Sequence, residues 1–183
     1  EYLNYFISNN KCEYFLDIGS CWGVYSLKIA YKNPNLKVLA FDVFEKNIRR
    51  LKFMANNNNI ININTFNKAI GSEKKLELFS VNEEYSPNFS KDLNGNYKIT
   101  VQQDLIDNLV QLSKKNIVMK IDVERAELGV LEGSKNILKN NNFLILIETK
   151  ENSKAINFLL YLGFKILPHS LNTEDMILTN YEW

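Results

Sequence analysis

Residues 14–26 read YFLDIGSCWGVYS, a short apolar run that carries Asp17 and leads into two glycines, Gly19 and Gly23. Glycine lets the backbone turn tightly and removes the Cβ that would hold a ligand away, while a helix opening near Gly23 would offer free N–H groups. Farther on, Asp42 closes a second apolar run, KVLAF. An acid about 20 residues beyond such a loop, at a strand end, is where a carboxylate accepts hydrogen bonds from the two hydroxyls of a ribose. A third carboxylate, Asp122, ends the run NIVMKID. Together these are the parts of a site for an adenosine cofactor.

The loop itself discriminates among such cofactors. A dinucleotide loop needs G-x-G-x-x-G to seat a pyrophosphate on the helix N-terminus, whereas the pattern here is D-x-G-x-x-x-G, with Asp17 two residues before the first glycine. That carboxylate disfavours a pyrophosphate and suits a cationic amino-acid tail. S-adenosylmethionine is therefore expected rather than NAD. Ser20, Cys21 and Trp22 form the lip of the loop, and Trp22 is equally a candidate for packing.

These residues must be held by strands and helices in alternation, and the sequence supplies them. Strands are expected at 14–18, 37–41, 63–71, 116–122 and 143–148, an extra alternating element at 75–81, and helices at 24–31, 45–55, 104–112, 126–138 and 153–162. The helix over 45–55 should turn Ile48, Leu51 and Met54 to one face. FKIL and MILT, at 164–167 and 176–179, can close the sheet as an antiparallel hairpin. Alternation of this kind is the pattern of a mostly parallel sheet flanked by helices. The expected class is α/β: a three-layer Rossmann-like fold with a mostly parallel seven-stranded sheet, in a single domain spanning 1–183. Residues 82–98 are the one long polar, turn-rich stretch, of a length that usually marks a lid or binding loop. The asparagine runs at 56–59 and 140–142 read as turns and helix ends without chemistry.

The segment NIVMKIDVERAELGVLEGS, with FLDIGSCWGVYSL, AFDVFEKN and NKAIG, resembles the FkbM-type methyltransferases, a branch of the class I S-adenosylmethionine-dependent enzymes. The resemblance runs from about Phe15 to Phe164, and the block KIDVExAE is its most specific piece. It implies that Asp17, Gly19, Ser20 and Gly23 border the methionine part of the cofactor, that Asp42 and Val43 meet the ribose, that Asn47 matches the asparagine of the following helix, and that Ala69 and Ile70 lie near the adenine. Asp122, Glu124 and Glu127 match the acidic positions of the KIDVExAE block. There are departures. Ser20 and Cys21 replace the family's more usual Ala-Asn, Val43-Phe44-Glu45 replaces a proline-bearing turn, Arg125 stands where glycine is favoured, and Glu148 is followed by Thr149 and Lys150 rather than by a nearby histidine.

Methyl transfer to a hydroxyl is an in-line displacement that needs alignment, a dry site and a base for the hydroxyl proton. Asp122, aimed at the crevice, is a candidate base and a candidate cofactor contact; capping the next helix is its alternative role. Lys120 shares its face of the strand and could pair with it, which would weaken it as a base. Glu124 and Glu127 fall in the first helical turn, where carboxylates are favoured by the helix dipole. His169, the single histidine, is the second catalytic candidate by its ordinary pKa. No metal spacing stands out.

The 183 residues carry 22 Lys+Arg against 21 Asp+Glu, a net charge of +1. So balanced a chain lacks the basic stripe of a nucleic-acid binder, and no apolar run reaches membrane-span length. Two cysteines, Cys12 and Cys21, lie too close in sequence to staple the fold, which points to a reducing, cytoplasmic setting. The expected activity is O-methylation of a sugar hydroxyl, in a glycan or glycolipid precursor, or of a small metabolite. Tyr85 and Phe89 are candidates for stacking on the acceptor. The alternative is a non-catalytic module of the same fold within a larger glycan-assembly protein.

Overall fold

A computed structural model describes residues 2–9, 11–81, 89–90, 97–168 and 175–182. The chain begins with α1 (Tyr2–Asn9) and then alternates through β1 (Tyr14–Ile18), α2 (Val24–Lys32), β2 (Lys37–Asp42), α3 (Glu45–Asn57) and β3 (Ile63–Asn67). Four strands follow: β4 (Ala69–Ile70), β5 (Lys75–Val81), β6 (Phe89–Ser90) and β7 (Tyr97–Asp104). The second half holds α4 (Ile106–Leu109), β8 (Asn116–Ile121), α5 (Glu127–Glu132), α6 (Lys135–Asn140), β9 (Asn142–Glu148), α7 (Lys154–Tyr161), β10 (Lys165–Ile166) and β11 (Asp175–Thr179).

The main sheet has seven strands in the order β3-β2-β1-β8-β9-β11-β10. Its first five are parallel, and β11 runs antiparallel to both β9 and β10. The chain builds outward from β1 to β3 and then returns to place β8 on the other side of β1. Strand order thus reverses between β1 and β8, where open α/β sheets bind their ligands. The α/β class, the seven strands and the antiparallel closing pair are as the sequence pattern suggests.

The central strands are apolar on both faces because both are covered. In β8, Ile117, Met119 and Ile121 join one core with Leu16, Ile18, Leu39, Phe41 and residues of α5–α7. Val118 points the other way, into a core with Phe15, Val38 and Leu144 beneath α1 and α2. Each fully buried side chain of this kind contributes about 1.5–3 kcal/mol. By the same alternation Lys120 falls on the α1/α2 face, where it is buried.

Several boundaries differ from the sequence reading. The strand expected over 63–71 breaks at Lys68, and its last residues leave the main sheet as β4 to pair with β7 in a second sheet ordered β4-β7-β5-β6. β7, antiparallel to β5 from Tyr97 to Gln103, falls mostly on residues given no element, between the loop expected over 82–98 and the helix expected over 104–112, which shrinks to the single turn α4. The helix expected over 126–138 is split at Gly133 and Ser134, where Ser134 Oγ donates to the Val130 carbonyl at 2.7 Å. The Asp107 carboxylate then accepts from the N–H groups of Asn136 and Ile137 (2.8 and 2.9 Å), filling the open N-terminus of α6 from outside the helix. In α3, Ile48 and Leu51 are buried but Met54 is 39 % exposed, and Asn47 and Ala55 complete the inner face.

The asparagines act structurally. Asn62 Nδ2 donates to the carbonyls of Ala30, Asn33 and Leu36, tying the end of α2 to the start of β2. Asn141 Nδ2 does the same for Leu112 and Ile137.

Gly133 has an ordinary helical φ of −75°, so backbone strain does not require it. A Cβ there would overlap the Gly71 carbonyl oxygen, at the turn after β4. Gly133→Ala is therefore expected to destabilise the protein by about 1–3 kcal/mol through overpacking alone, measured as a lower midpoint in urea with an unchanged slope.

Candidate active site

Gly19 and Gly23 both take left-handed conformations, with φ of 79° and 76°. At Gly19 a Cβ would overlap the Asp122 carbonyl oxygen, and at Gly23 it would strike the Leu51 side chain. The loop is pinned from both sides: the N–H groups of Gly19 and Ser20 donate to the Phe41 carbonyl (3.0 and 2.9 Å), and Asp122 N–H donates to Ile18 O at 3.0 Å. The ends of β1, β2 and β8 are thereby locked together.

Asp42 is almost fully buried. Its Oδ1 accepts from Phe44 N–H and Asn47 Nδ2 (2.8 and 3.1 Å), and its Oδ2 accepts from Cys21 N–H at 2.7 Å. A carboxylate offers about four lone-pair sites, so three are taken and one, on Oδ2, is left for a ligand. A ribose could thus be held through one hydroxyl by this group, not through both as the sequence pattern suggests. Burial pushes the Asp42 pKa up to about 6, against the pull of its three donors.

Asp17 is wholly buried on the other face of β1. Its Oδ2 accepts from Ser26 Oγ at 2.6 Å, while Oδ1 has no hydrogen-bond partner. Burial raises its pKa, with the nearby Lys120 ammonium acting against that rise. Lys120 Nζ lies 2.9 Å from Asp122 Oδ2. Burial disfavours the ammonium, but the Asp17 and Asp122 carboxylates outweigh it and hold the Lys120 pKa above the usual lysine value. Glu148, at the end of β9, sits within hydrogen-bond reach of Asp122, whose negative charge raises the Glu148 pKa.

A cavity of about 400 Å³ opens over these strand ends, in the range that holds small molecules. One end is apolar, walled by Val43, Ala69, Ile70 and Phe79, with Lys68 and Gln103 also lining it; Asp42 stands on the wall between; the other end carries Gly19, Asp122, Glu124 and Glu148. The arrangement can hold a planar heterocycle at one end and a cation at the other.

A family model described as the methyltransferase FkbM domain matches residues 17–166, most of the chain. The chain belongs to the FkbM methyltransferase family. It is an S-adenosylmethionine-dependent enzyme, and the cavity fits that cofactor on its own chemistry, having an apolar slot, a carboxylate with an open acceptor site and an acidic end. No curated protein sequence matches the chain. Among solved structures, an rRNA methylase from Streptococcus thermophilus aligns at a TM-score of 0.56 with 16% identity, over 97% of this chain and 92% of its own. A Streptococcus mutans protein in complex with S-adenosylhomocysteine aligns at 0.55 with 15% identity, over 97% and 94%. A precorrin-6Y C5,15-methyltransferase from Geobacter metallireducens aligns at 0.56 with 11% identity, over 97% and 86%. These likenesses carry the fold.

In this FkbM chain, Gly19, Asp42, Val43, Ala69, Ile70 and Asp122 meet at the one cavity. Asp17 and Gly23 support the loop from behind without lining the cavity, and Ser20 faces a separate hollow. Asp122 does not cap the following helix, because α5 starts at Glu127 with no side-chain cap; it pairs with Lys120. Glu127 turns back to accept from Arg125 N–H at 2.8 Å, a structural role. His169 and Tyr85 lie outside the described residues, as does the side chain of Phe89. Sequence reasoning missed Phe79 and Gln103, which reach the cavity from the second sheet, and gave no role to Glu148. Among the described residues no group of three or more His, Cys, Asp or Glu side chains is placed to hold a metal ion.

The Asp42 pKa gives a pH dependence with a definite sign. Because burial raises it to about 6, from about 3.9 in an unfolded chain, protonation favours the free folded protein, and that contribution is full below about pH 4 and lost as pH rises through about 6. The remaining acceptor site on Oδ2 is fully available to a ribose only in the ionised form. Affinity for S-adenosylhomocysteine should therefore fall as pH is lowered through about 6, by up to about tenfold per unit, as read by calorimetry. The Asp42→Asn protein should bind more weakly and without that slope.

Proposed function

We propose that the protein is an O-methyltransferase acting on a hydroxyl of a small polyhydroxylated acceptor, a sugar unit of a glycan or glycolipid precursor or a hydroxylated metabolite. The observation that carries this reading is the two-ended cavity, apolar at Ala69, Ile70 and Phe79 and acidic at Asp122 and Glu148, with Asp42 between them. The saccharide class is supported by the family resemblance and by the balanced charge of the chain.

In this reading Val43, Ala69, Ile70 and Phe79 sandwich the adenine, Asp42 accepts from a ribose hydroxyl, and the Gly19 backbone with Asp122 borders the methionine part. Bound S-adenosylmethionine supplies a methyl group on a sulfonium, ready for in-line displacement. The chain must then align an acceptor hydroxyl, exclude water and take up its proton. The acid pair at the ends of β8 and β9 serves the last role. Asp122 is held by Lys120, and Glu148, whose pKa Asp122 raises, is the member better matched to receive a proton. His169 remains the second candidate base.

The fold shared with an rRNA methylase makes RNA the competing acceptor, against which the net charge of +1 argues. Cys12 and Cys21 are both free thiols, in keeping with a cytoplasmic protein. No helix among the described residues is long and apolar enough to cross a membrane.

Thermal unfolding with S-adenosylmethionine, S-adenosylhomocysteine and NAD tests the cofactor assignment. A ligand bound only by the native state adds about 2.7 kcal/mol at 100 times its dissociation constant. Upward shifts with the two sulfur ligands alone are expected, diminished in Asp42→Ala. No shift with any of the three at saturation would favour the non-catalytic module.

A further inference from the structure

A second cavity, of about 240 Å³, lies beside the first. The two share Gly19, Cys21 and Asp122 and nothing of the adenine or ribose wall, so they meet at the methionine end, where the transferable methyl would lie. The second cavity is formed by the lip of the glycine loop and the first turn of α2. We infer that it is the acceptor subsite and that it takes a polyhydroxylated ring, an inference that rests on the methyltransferase reading above.

Trp22 and Tyr25 line it together with Lys120 and Asp122. Trp22 and Tyr25 are each 43 % exposed. The Arg50 guanidinium lies 4.5 Å from the centre of the Trp22 ring, and Lys120 Nζ lies 5.2 Å from that of Tyr25. Such cation–π contacts hold a ring in place, so both aromatics are presented in fixed orientations. An aromatic ring offers an apolar surface on which the C–H face of a sugar can pack, while the sugar's hydroxyls need partners nearby. Those partners are present. Lys120 and Asp122 both line the cavity, one as donor and the other as acceptor.

The charges point to the same class. The Lys120 ammonium is already balanced by Asp17 and Asp122, so the cavity presents no uncompensated cation for a phosphate backbone. Cavity contact through Asp122 puts a bound hydroxyl next to the acid pair that would take its proton.

Trp22 provides its own reporter. The chain has two tryptophans, Trp22 and Trp183, so Trp183→Phe leaves Trp22 as the sole one. This protein, saturated with S-adenosylhomocysteine, would be titrated with methyl glycosides of neutral hexoses, short neutral oligosaccharides and, separately, an RNA oligonucleotide. The expected result is saturable Trp22 quenching by at least one saccharide and not by RNA. Its dissociation constant should rise tenfold or more in Tyr25→Ala, with the thermal shift from S-adenosylhomocysteine retained. A retained thermal shift with no saccharide quenching up to the solubility limit overturns the subsite and leaves the methyltransferase reading standing. Quenching by RNA alone overturns the ring class. Tenfold weaker S-adenosylhomocysteine binding in Tyr25→Ala reassigns the cavity to the amino-acid tail of the cofactor. Absence of any thermal shift in the Trp183→Phe protein and in wild type removes both the reading and the subsite that rests on it.

Discussion

The backbone of Gly19 lies so close to the Asp122 carbonyl that no side chain fits between them. The upper edge of the sheet depends on that approach. It lets the end of β1 dock on β8 through the Asp122–Ile18 hydrogen bond while the next residues dock on β2 through the Phe41 carbonyl. The crevice between β1 and β8 is thus a product of strand order, and its floor is made by the absence of one methyl group. Asp42 finishes the job by gathering Cys21, Phe44 and Asn47 around one carboxylate, so that loop, strand end and helix start move as one unit.

Burying charge at this edge has a cost that is met locally. Asp17 and Lys120 are buried, Asp122 is half-buried and Glu148 is exposed, and the one ammonium faces the Asp17 and Asp122 carboxylates. Removing one partner from a buried ion pair costs several times what the pair contributes. The negative charge of Asp122 raises the Glu148 pKa.

Most of the strand and helix order was legible because the alternation of apolar strands and periodic helices is strong, and the chemistry-bearing residues Gly19, Asp42 and Asp122 fall at strand ends where spacing alone marks them. Other features were not. In β7 the apolar residues of KITVQQD are spaced for a strand, but the segment adjoins a polar, glycine-bearing stretch that reads as one loop with it. Phe79 and Gln103 could not be assigned to the cavity because the second sheet that delivers them is set by long-range pairing. The break between α5 and α6 carried the signal Gly133-Ser134, outweighed by the apolar periodicity around it. How many acceptor sites Asp42 leaves open depends on three donors brought from different elements, which no linear pattern records.

The position of β11 has consequences for how the molecule assembles. It lies between β9 and β10, yet it follows both in the chain. During synthesis, which delivers the N-terminal part first, β10 emerges with no neighbour to pair with, and the outer edge of β9 stays open until residues 175–179 arrive. An open strand edge next to a crowded core is a template for pairing with another chain. The last step of sheet closure thus ends a vulnerable interval for the nascent protein, and the strand that ends it is also the one that locks β10 in place.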